Sequence, residues 1–289
     1  MALSSVRSKE RYFSLLGAIG DALHPGHSSA ARRFLVIRFY LDVSGKASDP
    51  VMVAAGYLAD EKRWRKFERA WGDILRDAQV SEFHATDFFN ARGAFSGWDL
   101  KSERHRTFAE RFTGAVAKHT QIGFAFGVEV GAMDEKWSEL QKRINTPHNR
   151  YTPLMVCLCA CLTRAARSCL APPHQAAVIF EEGDGMGETI EYLNYLKRMG
   201  EGWPLSYVSF TTMGKSARPL QAADLLAHES WRRLKEVLKT SGRAERKSLL
   251  ALLRHKDVEI QLLTKETMRG TSLRIAKWLD ENPRFAARS

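Results

Sequence analysis

The feature of this sequence that most constrains its fold is an almost continuously apolar run over residues 33–41, Arg-Phe-Leu-Val-Ile-Arg-Phe-Tyr-Leu. A strand that is apolar on both faces is typical of the centre of a sheet that helices cover on both sides. Gly45 and Pro50 then mark a turn, and residues 51–58 predict a second strand that forms a hairpin with the first. The chain is therefore expected to be an α/β protein built on a buried central strand.

The remaining pattern predicts further strands over residues 121–130, 176–181 and 205–211, with a short additional strand indicated at 258–262. Helices are predicted near residues 60–78, 102–119, 132–143, 153–170, 187–199 and 220–238, and an ordered loop or short helices over 83–98. Three leading strands followed by alternating helices and strands are the order of ribonuclease H-like folds. We expect an α/β fold with a ribonuclease H-like mixed five-stranded sheet, flanked by helices and carrying helical insertions.

The chain has 289 residues, a length that suits one large domain with insertions. A polar stretch with Gly and Pro, residues 24–29, separates an N-terminal helix from the main body. We predict an N-terminal helical extension over residues 1–30, a ribonuclease H-like domain over 31–240, and a C-terminal helical extension over 241–289 that packs on it. The sequence does not determine the oligomeric state.

The net charge of +11 and the pI of about 9.6 favour a polyanionic partner, which for a globular protein indicates nucleic acid, DNA or RNA. No run approaches the apolar length that spans a bilayer, and residues 1–11 lack the apolar stretch of a signal peptide. We therefore expect a cytoplasmic protein without a membrane partner. Its four cysteines, Cys157, Cys159, Cys161 and Cys169, fall in one predicted helix, which indicates reduced core thiols and not a zinc site.

Two carboxylates follow predicted buried strands. Asp42 comes directly after the first strand, where an ionised carboxylate is costly to desolvate unless a cation or other partner compensates it. Turn chemistry in Asp42-Val-Ser-Gly45 is an equally good explanation on this residue alone. Glu181 ends the fourth strand and opens the sequence Glu-Glu-Gly-Asp, whose crowded acids suggest a bound cation or a protonated carboxyl. Glu182 is a further candidate metal ligand, although a solvated loop before a helix explains it as well.

A third carboxylate, Asp224, lies inside the apolar sequence Leu220-Gln-Ala-Ala-Asp-Leu-Leu-Ala227. An acid in such a run is unusual unless it is paired or metal-bound, and the alternative is an Asp stabilised by the dipole at a helix N-terminus. His228, four residues later, shares its helix face and is a candidate to act as a ligand or to orient Asp224, although an ordinary helix-surface histidine is the favoured interpretation.

In a ribonuclease H-like sheet the first and fourth strands are neighbours and face the last helix, so Asp42, Glu181 and Asp224 are expected to meet. Hard divalent cations, Mg²⁺ or Mn²⁺, prefer such oxygen ligands, and two of them can activate water and stabilise the leaving oxygen of a phosphodiester. The glycines after Glu181 do not fit a dinucleotide fingerprint, because Glu188 stands where a glycine is needed. The absence of a Walker motif from the sequence argues against a P-loop nucleotidase.

Four motifs together resemble the domain of unknown function 3800 family, which is regarded as ribonuclease H-like. They are Tyr40-Leu-Asp-Val-Ser-Gly45, Phe83-His-Ala-Thr-Asp-Phe88, Phe180-Glu-Glu-Gly-Asp184 and Leu220-Gln-Ala-Ala-Asp-Leu-Leu-Ala227. The resemblance spans roughly residues 34–231 and implies the fold and a metal-dependent hydrolase site, without an established substrate. It implies that Asp42, Glu181 and Asp224 are the family's acidic positions.

The same resemblance matches His84 and Asp87 to the family's His-x-x-Asp segment. His84 is a candidate proton donor to the leaving group or a candidate substrate contact, against the alternative of a loop histidine packed on aromatic residues such as Phe88. Asp87 is a candidate substrate contact, against the alternative of a helix cap. Val43 departs from the family, where many relatives have Glu, so a second acid at that position is in doubt.

Lys215 and Arg218 immediately precede the Asp224 helix and are candidate phosphate ligands. The basic run after the second strand is more often a solvated helix face, and Trp64 and Trp71, at helical spacing within it, are more often core than stacking platforms for bases.

Three functions follow from these residues. The first is a metal-dependent nuclease that hydrolyses the phosphodiester bonds of DNA or RNA, with Asp42, Glu181, Asp224 and His84 as the catalytic residues. The second is a non-catalytic module on the same fold that binds nucleic acid or protein. The third is a hydrolase of a smaller phosphate ester or nucleotide.

Overall fold

The computed structural model describes residues 36–46, 48–133, 135–143, 152–169, 175–183, 185–199, 207–239, 246–254 and 257–281. The predicted N-terminal extension over residues 1–30 lies outside these residues. The architecture is an α/β fold in which helices flank a mixed six-stranded sheet.

The sheet has the strand order β5-β4-β1-β2-β3-β6. Its strands are β1 Val36–Ser44, β2 Val51–Asp60, β3 Ile122–Glu129, β4 Gln175–Glu181, β5 Tyr207–Met213 and β6 Val258–Leu263. β1 pairs antiparallel with β2 and β2 with β3, whereas β1–β4, β4–β5 and β3–β6 are parallel pairs. The predicted central position of the apolar run is confirmed, because Phe39, Tyr40 and Leu41 are buried between β2 and β4.

The prediction of five strands was wrong by one. The short strand indicated near residues 258–262 is β6, which pairs with β3 from Gly123↔Val258 to Val128↔Leu263. Its residues are only half-buried or exposed, so the apolar alternation that identifies a strand is weak there. The predicted C-terminal extension therefore contributes an edge strand to the sheet as well as helices.

The helices of the described residues form a layer on each face of the sheet. They are α1 Glu61–Ala78, α2 Ala85–Asn90, α3 Glu103–His119, α4 Glu135–Arg143, α5 Pro153–Cys169, α6 Met186–Met199, α7 Arg218–Leu238, α8 Lys247–Leu253 and α9 Lys265–Glu281. α5 and α6 share one apolar core with Phe39 and Leu41. α1, α2, α3 and α7 share the other with Tyr40. None of these helices, within the described ranges, is long and apolar enough to cross a membrane.

α1 shows how local sequence sets this layer. The Asp60 side chain caps the helix by accepting a hydrogen bond from the backbone N–H of Arg63 at 2.8 Å. Trp64, Phe67 and Trp71 recur at helical spacing and are buried, which confirms the interpretation of both tryptophans as core residues. The basic side chains of the helix lie on its exposed face, as expected.

Two of the cysteines of α5 lie where their pattern predicted, and the side chain of Cys169 lies outside the described residues. Cys157 and Cys161 are buried, and their thiols donate to the carbonyls of Met52 and Ala54 on β2 at 3.2 and 3.1 Å. Burial raises the pKa of the Cys157 thiol to about 12 and that of Cys161 well above its usual value. These thiols are free, and they pack as core residues.

Candidate active site

Strand pairing brings two of the predicted acids side by side. β1 and β4 are parallel neighbours whose last paired residues are Leu41 and Phe180, so Asp42 and Glu181 follow at the same level. Neighbouring strands are about 4.8 Å apart, which sets the separation of the two backbones. Glu181 ends β4 as predicted.

Asp42 does not end its strand. β1 continues to Ser44, and Asp42 pairs with Ala55 on β2. The interpretation of Asp42 as a turn residue is therefore wrong. The turn comes later, where the Asp49 side chain accepts a hydrogen bond from the Lys46 N–H at 2.8 Å.

Both carboxylates face the helical layer that contains α7. Side chains alternate between the faces of a strand, so Asp42 shares its face with Tyr40, and Glu181 shares its face with Ile179. Tyr40 and Ile179 both belong to the core formed with α1 and α7. α7 packs across β1 and β2 on this face, and it carries the third acid.

Asp224 lies in the second turn of α7, because the helix begins at Arg218 and not at residue 220 as predicted. The helix dipole acts mainly on the first turn, so it is a weak explanation for this acid. Asp224 is only 8% exposed. The pKa of its carboxyl is raised to about 6 as the net result of burial and the charge of Glu181, which raise it, and of His84, the Ala85 N–H and Lys215, which lower it.

The pKa of the Asp42 carboxyl is affected by the same surrounding groups. Burial raises the pKa of its carboxyl well above the usual value, and the negative charges of Asp224 and Glu181 raise it further. Lys215 acts in the opposite direction. The carboxylates from β1, β4 and α7 are thus close enough to repel one another, as the sequence predicted.

Lys215 supplies a positive charge at this acidic group. Its ammonium lies 3.1 Å from Oε1 of Glu181, and the side chain of Lys215 is 59% exposed while that of Glu181 is 20% exposed. The hydrogen bond to Glu181 raises the pKa of Lys215, and the charges of Asp224 and Asp42 add to the effect. Lys215 is therefore placed as predicted, beside the acids.

Two side chains of α7 hold the segment that carries His84. Gln221 Oε1 accepts hydrogen bonds from Trp71 Nε1 at 2.8 Å and from the Phe83 N–H at 3.1 Å. Oδ2 of Asp224 accepts from the Ala85 N–H at 2.7 Å. The backbone on both sides of His84 is therefore fixed to α7.

Gln221 was not among the predicted site residues. Its Nε2 also donates to the carbonyl of Lys215 at 3.1 Å, so this buried amide joins α1, the His84 segment and the Lys215 turn. The signal available in the sequence was a polar residue three positions before Asp224, on the same helix face, inside an apolar run.

His84 precedes α2 and lines a small cleft, here called the acidic cleft, together with Phe83, Glu181, Lys215, Gln221 and Asp224. Its Nδ1 is buried and finds no hydrogen-bond partner among the residues that the structure describes. Phe88, the predicted packing partner of His84, instead stacks on His105, with ring centroids 4.3 Å apart. The imidazole is therefore available to a ligand or water in the cleft.

Four predicted residues, Asp42, Glu182, Asp87 and Arg218, are not among the described residues that line the acidic cleft. Glu182 is exposed, and its Oε2 is the side-chain atom nearest to Gly214. The carboxylate of Asp87 lies against Gly93, and the cap position of α2 is occupied by His84, three residues before Asp87.

Arg218 is held by α1. Its Nη1 donates to the carbonyl of Glu68 at 2.7 Å, and its guanidinium packs on Gly72, where a Cβ atom would come within 2.4 Å of it. Only glycine leaves room for this contact. The phosphate contact of Arg218 stays a prediction, and so do the roles of Glu182 and Asp87.

His228 differs from its prediction. It is buried, not on the surface, and its ring stacks on Phe89 with centroids 5.3 Å apart. Burial lowers its pKa to about 3, and the charges of Arg232, Arg246 and His84 add to this effect, so the imidazole is neutral at pH 7. The face of α7 that carries His228 is covered by α2. Because α2 is distant in the sequence, the pattern of α7 alone does not reveal that His228 is buried.

The donor set suits a hard divalent cation in chemistry and charge. Three carboxylates converge, and two of them have pKa values raised by burial and mutual repulsion that a bound cation relieves. Within the described ranges, however, no three His, Cys, Asp or Glu side chains already stand at ligand spacing. Comparison with protein-family models, with curated proteins and with solved structures finds no match to this chain.

Proposed function

We propose that this protein is a divalent-metal-dependent nuclease that hydrolyses phosphodiester bonds of DNA or RNA. The observation that carries the proposal is the convergence of Asp42, Glu181 and Asp224 from β1, β4 and α7 into one group, in which the charge of Glu181 acts on Asp42 and Asp224 and the charge of Asp224 acts on Asp42. Folding has concentrated negative charge in a partly buried position at an energetic cost. Such a cost is typical of a functional site.

The ribonuclease H-like fold and membership of the domain of unknown function 3800 family are part of this proposal. The support is the strand order, in which β1 lies between β2 and β4 and three leading antiparallel strands precede two parallel ones. The four motifs that carry the resemblance supply Asp42, His84, Glu181 and Asp224, and all four side chains belong to or adjoin one cleft. A cytoplasmic location is proposed with it.

Asp42, Glu181 and Asp224 would hold Mg²⁺ or Mn²⁺. When bound, such ions activate the attacking water and stabilise the leaving oxygen of a phosphodiester. Lys215 compensates the acids electrostatically and is exposed enough to contact a phosphate oxygen at the rim of the cleft.

His84 is proposed to move a proton. Its backbone is fixed on both sides through Phe83 and Ala85, and its Nδ1 has no partner within the described part of the chain. A positioned imidazole with an available nitrogen can give a proton to a leaving oxygen or orient a water molecule. Gln221 is a positioning residue for His84 and acts through the Phe83 backbone.

A nuclease assay tests the proposal. We expect the wild-type protein to cut single- or double-stranded DNA or RNA with Mg²⁺ or Mn²⁺ and not with EDTA. Asp42→Asn and Asp224→Asn should each lower the rate by about a hundredfold or more, because each removes a metal ligand. Asp73→Asn, on the exposed face of α1, is the matched control and should leave the rate unchanged. Cutting that survives either site substitution contradicts the proposal.

A non-catalytic nucleic-acid-binding module is the second candidate. It is favoured by the lack of ready ligand spacing among the described acids and by the Lys215 ammonium that already compensates Glu181. This candidate predicts binding that is independent of metal, falls steeply with salt and yields no product. The same oligonucleotides, assayed for binding and for product, separate the two functions.

A further inference from the structure

A second cleft lies along the seam between α2 and α7. Thr86 and Asn90 line it on α2. On the other side it is lined by residues of α7 and by Lys239, which follows the helix; those of α7 are His228, Trp231, Arg232, Lys235 and Glu236. We call it the basic cleft. Its cavity volume is about 410 Å³, against about 20 Å³ for the acidic cleft, so it has room for a much larger part of a ligand.

The two clefts adjoin. His84 lines the acidic cleft, and Thr86, two residues later in the chain, lines the basic cleft. Asp224, His228 and Lys235 lie on one face of α7 at helical spacing, and the rise of a helix sets about 16 Å between Asp224 and Lys235. The face of α7 that begins at the acids thus continues as a basic surface.

The charge of the basic cleft is positive. Three basic side chains line it against one acid, Glu236. The Lys235 ammonium lies 4.4 Å from the centre of the Trp231 ring and 3.8 Å from Oδ1 of Asp49. Glu229, beside His228, is compensated by Arg246 and Ser248. The cleft therefore attracts anions.

A buried polar group also points to a ligand. His228 is 5% exposed and lines the basic cleft, yet its Nδ1 has no hydrogen-bond partner within the described ranges; Oε1 of Glu229 lies 3.8 Å away, beyond hydrogen-bond distance. Buried polar groups without partners are rare in folded proteins unless a ligand or water satisfies them.

We propose that the basic cleft binds the sugar-phosphate backbone of the nucleic-acid strand whose scissile bond lies at the acidic cleft. The inference rests on the proposed function, because it makes the strand a substrate. Lys235 and Lys239 contact phosphates by charge, without reading sequence, and hold the strand along α7.

The test is binding of a short fluorescein-labelled single-stranded DNA, and of RNA of the same sequence, by fluorescence anisotropy in EDTA. The double variant Lys235→Gln with Lys239→Gln should weaken binding about tenfold at low salt and lower the salt slope by about 1.4, the value for two phosphate contacts. Lys62→Gln with Lys66→Gln removes the same charge from the exposed face of α1 and should change affinity by less than about twofold.

A variant on the other wall tests the cleft without altering its lysines. Thr86 is exposed in the first turn of α2, where a carboxylate is well tolerated, so Thr86→Glu adds a negative charge to the cleft without disturbing the fold. It should weaken binding, whereas Thr86→Gln, of equal size, should not. Three results would each overturn the proposal. They are equal weakening of nucleic-acid binding by the two double lysine variants, wild-type affinity in the variants of the basic cleft, and no binding of nucleic acid by the wild-type protein.

Failure of the proposed function would be seen separately. The cleft variants could weaken binding as expected while the wild-type protein cuts neither DNA nor RNA with Mg²⁺ or Mn²⁺. That result would support the basic cleft as a binding site and contradict the proposed nuclease function. If the wild-type protein cuts nucleic acid and the cleft variants bind and cut normally, the nuclease function is supported and the proposal that the basic cleft binds the strand is overturned.

Discussion

Replacing Asp224 with asparagine is expected to stabilise the metal-free protein at neutral pH. Burial raises the pKa of this carboxyl from 3.8 to about 6, so its ionised form is disfavoured in the folded state. One pKa unit corresponds to about 1.36 kcal/mol, which gives about 2–3 kcal/mol of destabilisation by ionised Asp224. Asparagine removes the charge and keeps an oxygen that can accept the Ala85 N–H.

The effect has a defined pH dependence. Because the folded protein holds the proton more tightly than the unfolded chain, the stability of the wild type falls as pH rises from about 4 to about 6 and levels off above that. Below about pH 4 both states are protonated at this position. The difference in unfolding free energy between Asp224→Asn and the wild type should therefore grow across this window and stay constant at higher pH.

Urea unfolding in EDTA, followed by circular dichroism at several pH values, measures this difference. Asp73→Asn is the control, because Asp73 forms an exposed pair with Arg76 that contributes about 0.5 kcal/mol or less. If Asp224→Asn lowers the unfolding free energy by about 1 kcal/mol or more at neutral pH, Asp224 is mainly a structural acceptor for Ala85. That result would refute the reasoning that places it at a cation site.

Three further predictions concern Gln221, Lys215 and Cys161. Gln221→Leu leaves two buried donors and a carbonyl without partners. It should therefore lower the unfolding free energy, measured by urea titration, by about 2–4 kcal/mol. Gln261→Leu, at an exposed position of β6, is the control and should lower it by about 0.5 kcal/mol or less. Lys215→Met removes a charge that lowers the pKa values of Asp42 and Asp224, so the acidic limb of the kcat/KM–pH profile should move to higher pH, while Lys62→Met should leave it in place. The Cys161 thiol should not react with iodoacetamide at pH 8 until urea unfolds the protein, because the thiol is buried and burial raises its pKa. Peptide mass spectrometry measures this reaction. Rapid alkylation of Cys161 in the folded protein would contradict its position in the core.

The sheet was largely predictable because strand signals are local. The apolar run that became β1 and the short apolar segments that became β2 to β5 carry their own hydrophobic pattern. Strand pairing then placed Glu181 beside Asp42, as expected from a parallel neighbour. β6 was indicated but not counted, since its pattern is weak and its pairing with β3 joins residues far apart in the chain.

The surroundings of the site were less predictable, because they depend on contacts between distant segments. Arg218 is held by the backbone of α1, and His228 is buried by Phe89 from α2. Gln221 joins α1 and the His84 segment across 150 and 138 positions of sequence. The pattern of α7 alone shows that such polar residues are unusual, but it does not show which partner each one finds.

The central claim is that Asp42, Glu181 and Asp224 form one divalent-metal site. Isothermal titration of the metal-free protein with Mn²⁺ and with Mg²⁺, in the presence of a short oligonucleotide, tests it most directly. We predict binding by the wild type and its loss in the double variant Asp42→Asn with Asp224→Asn, with Asp73→Asn binding like the wild type. Equal metal binding by the wild type and the double variant, or none by the wild type even with oligonucleotide present, would contradict the claim.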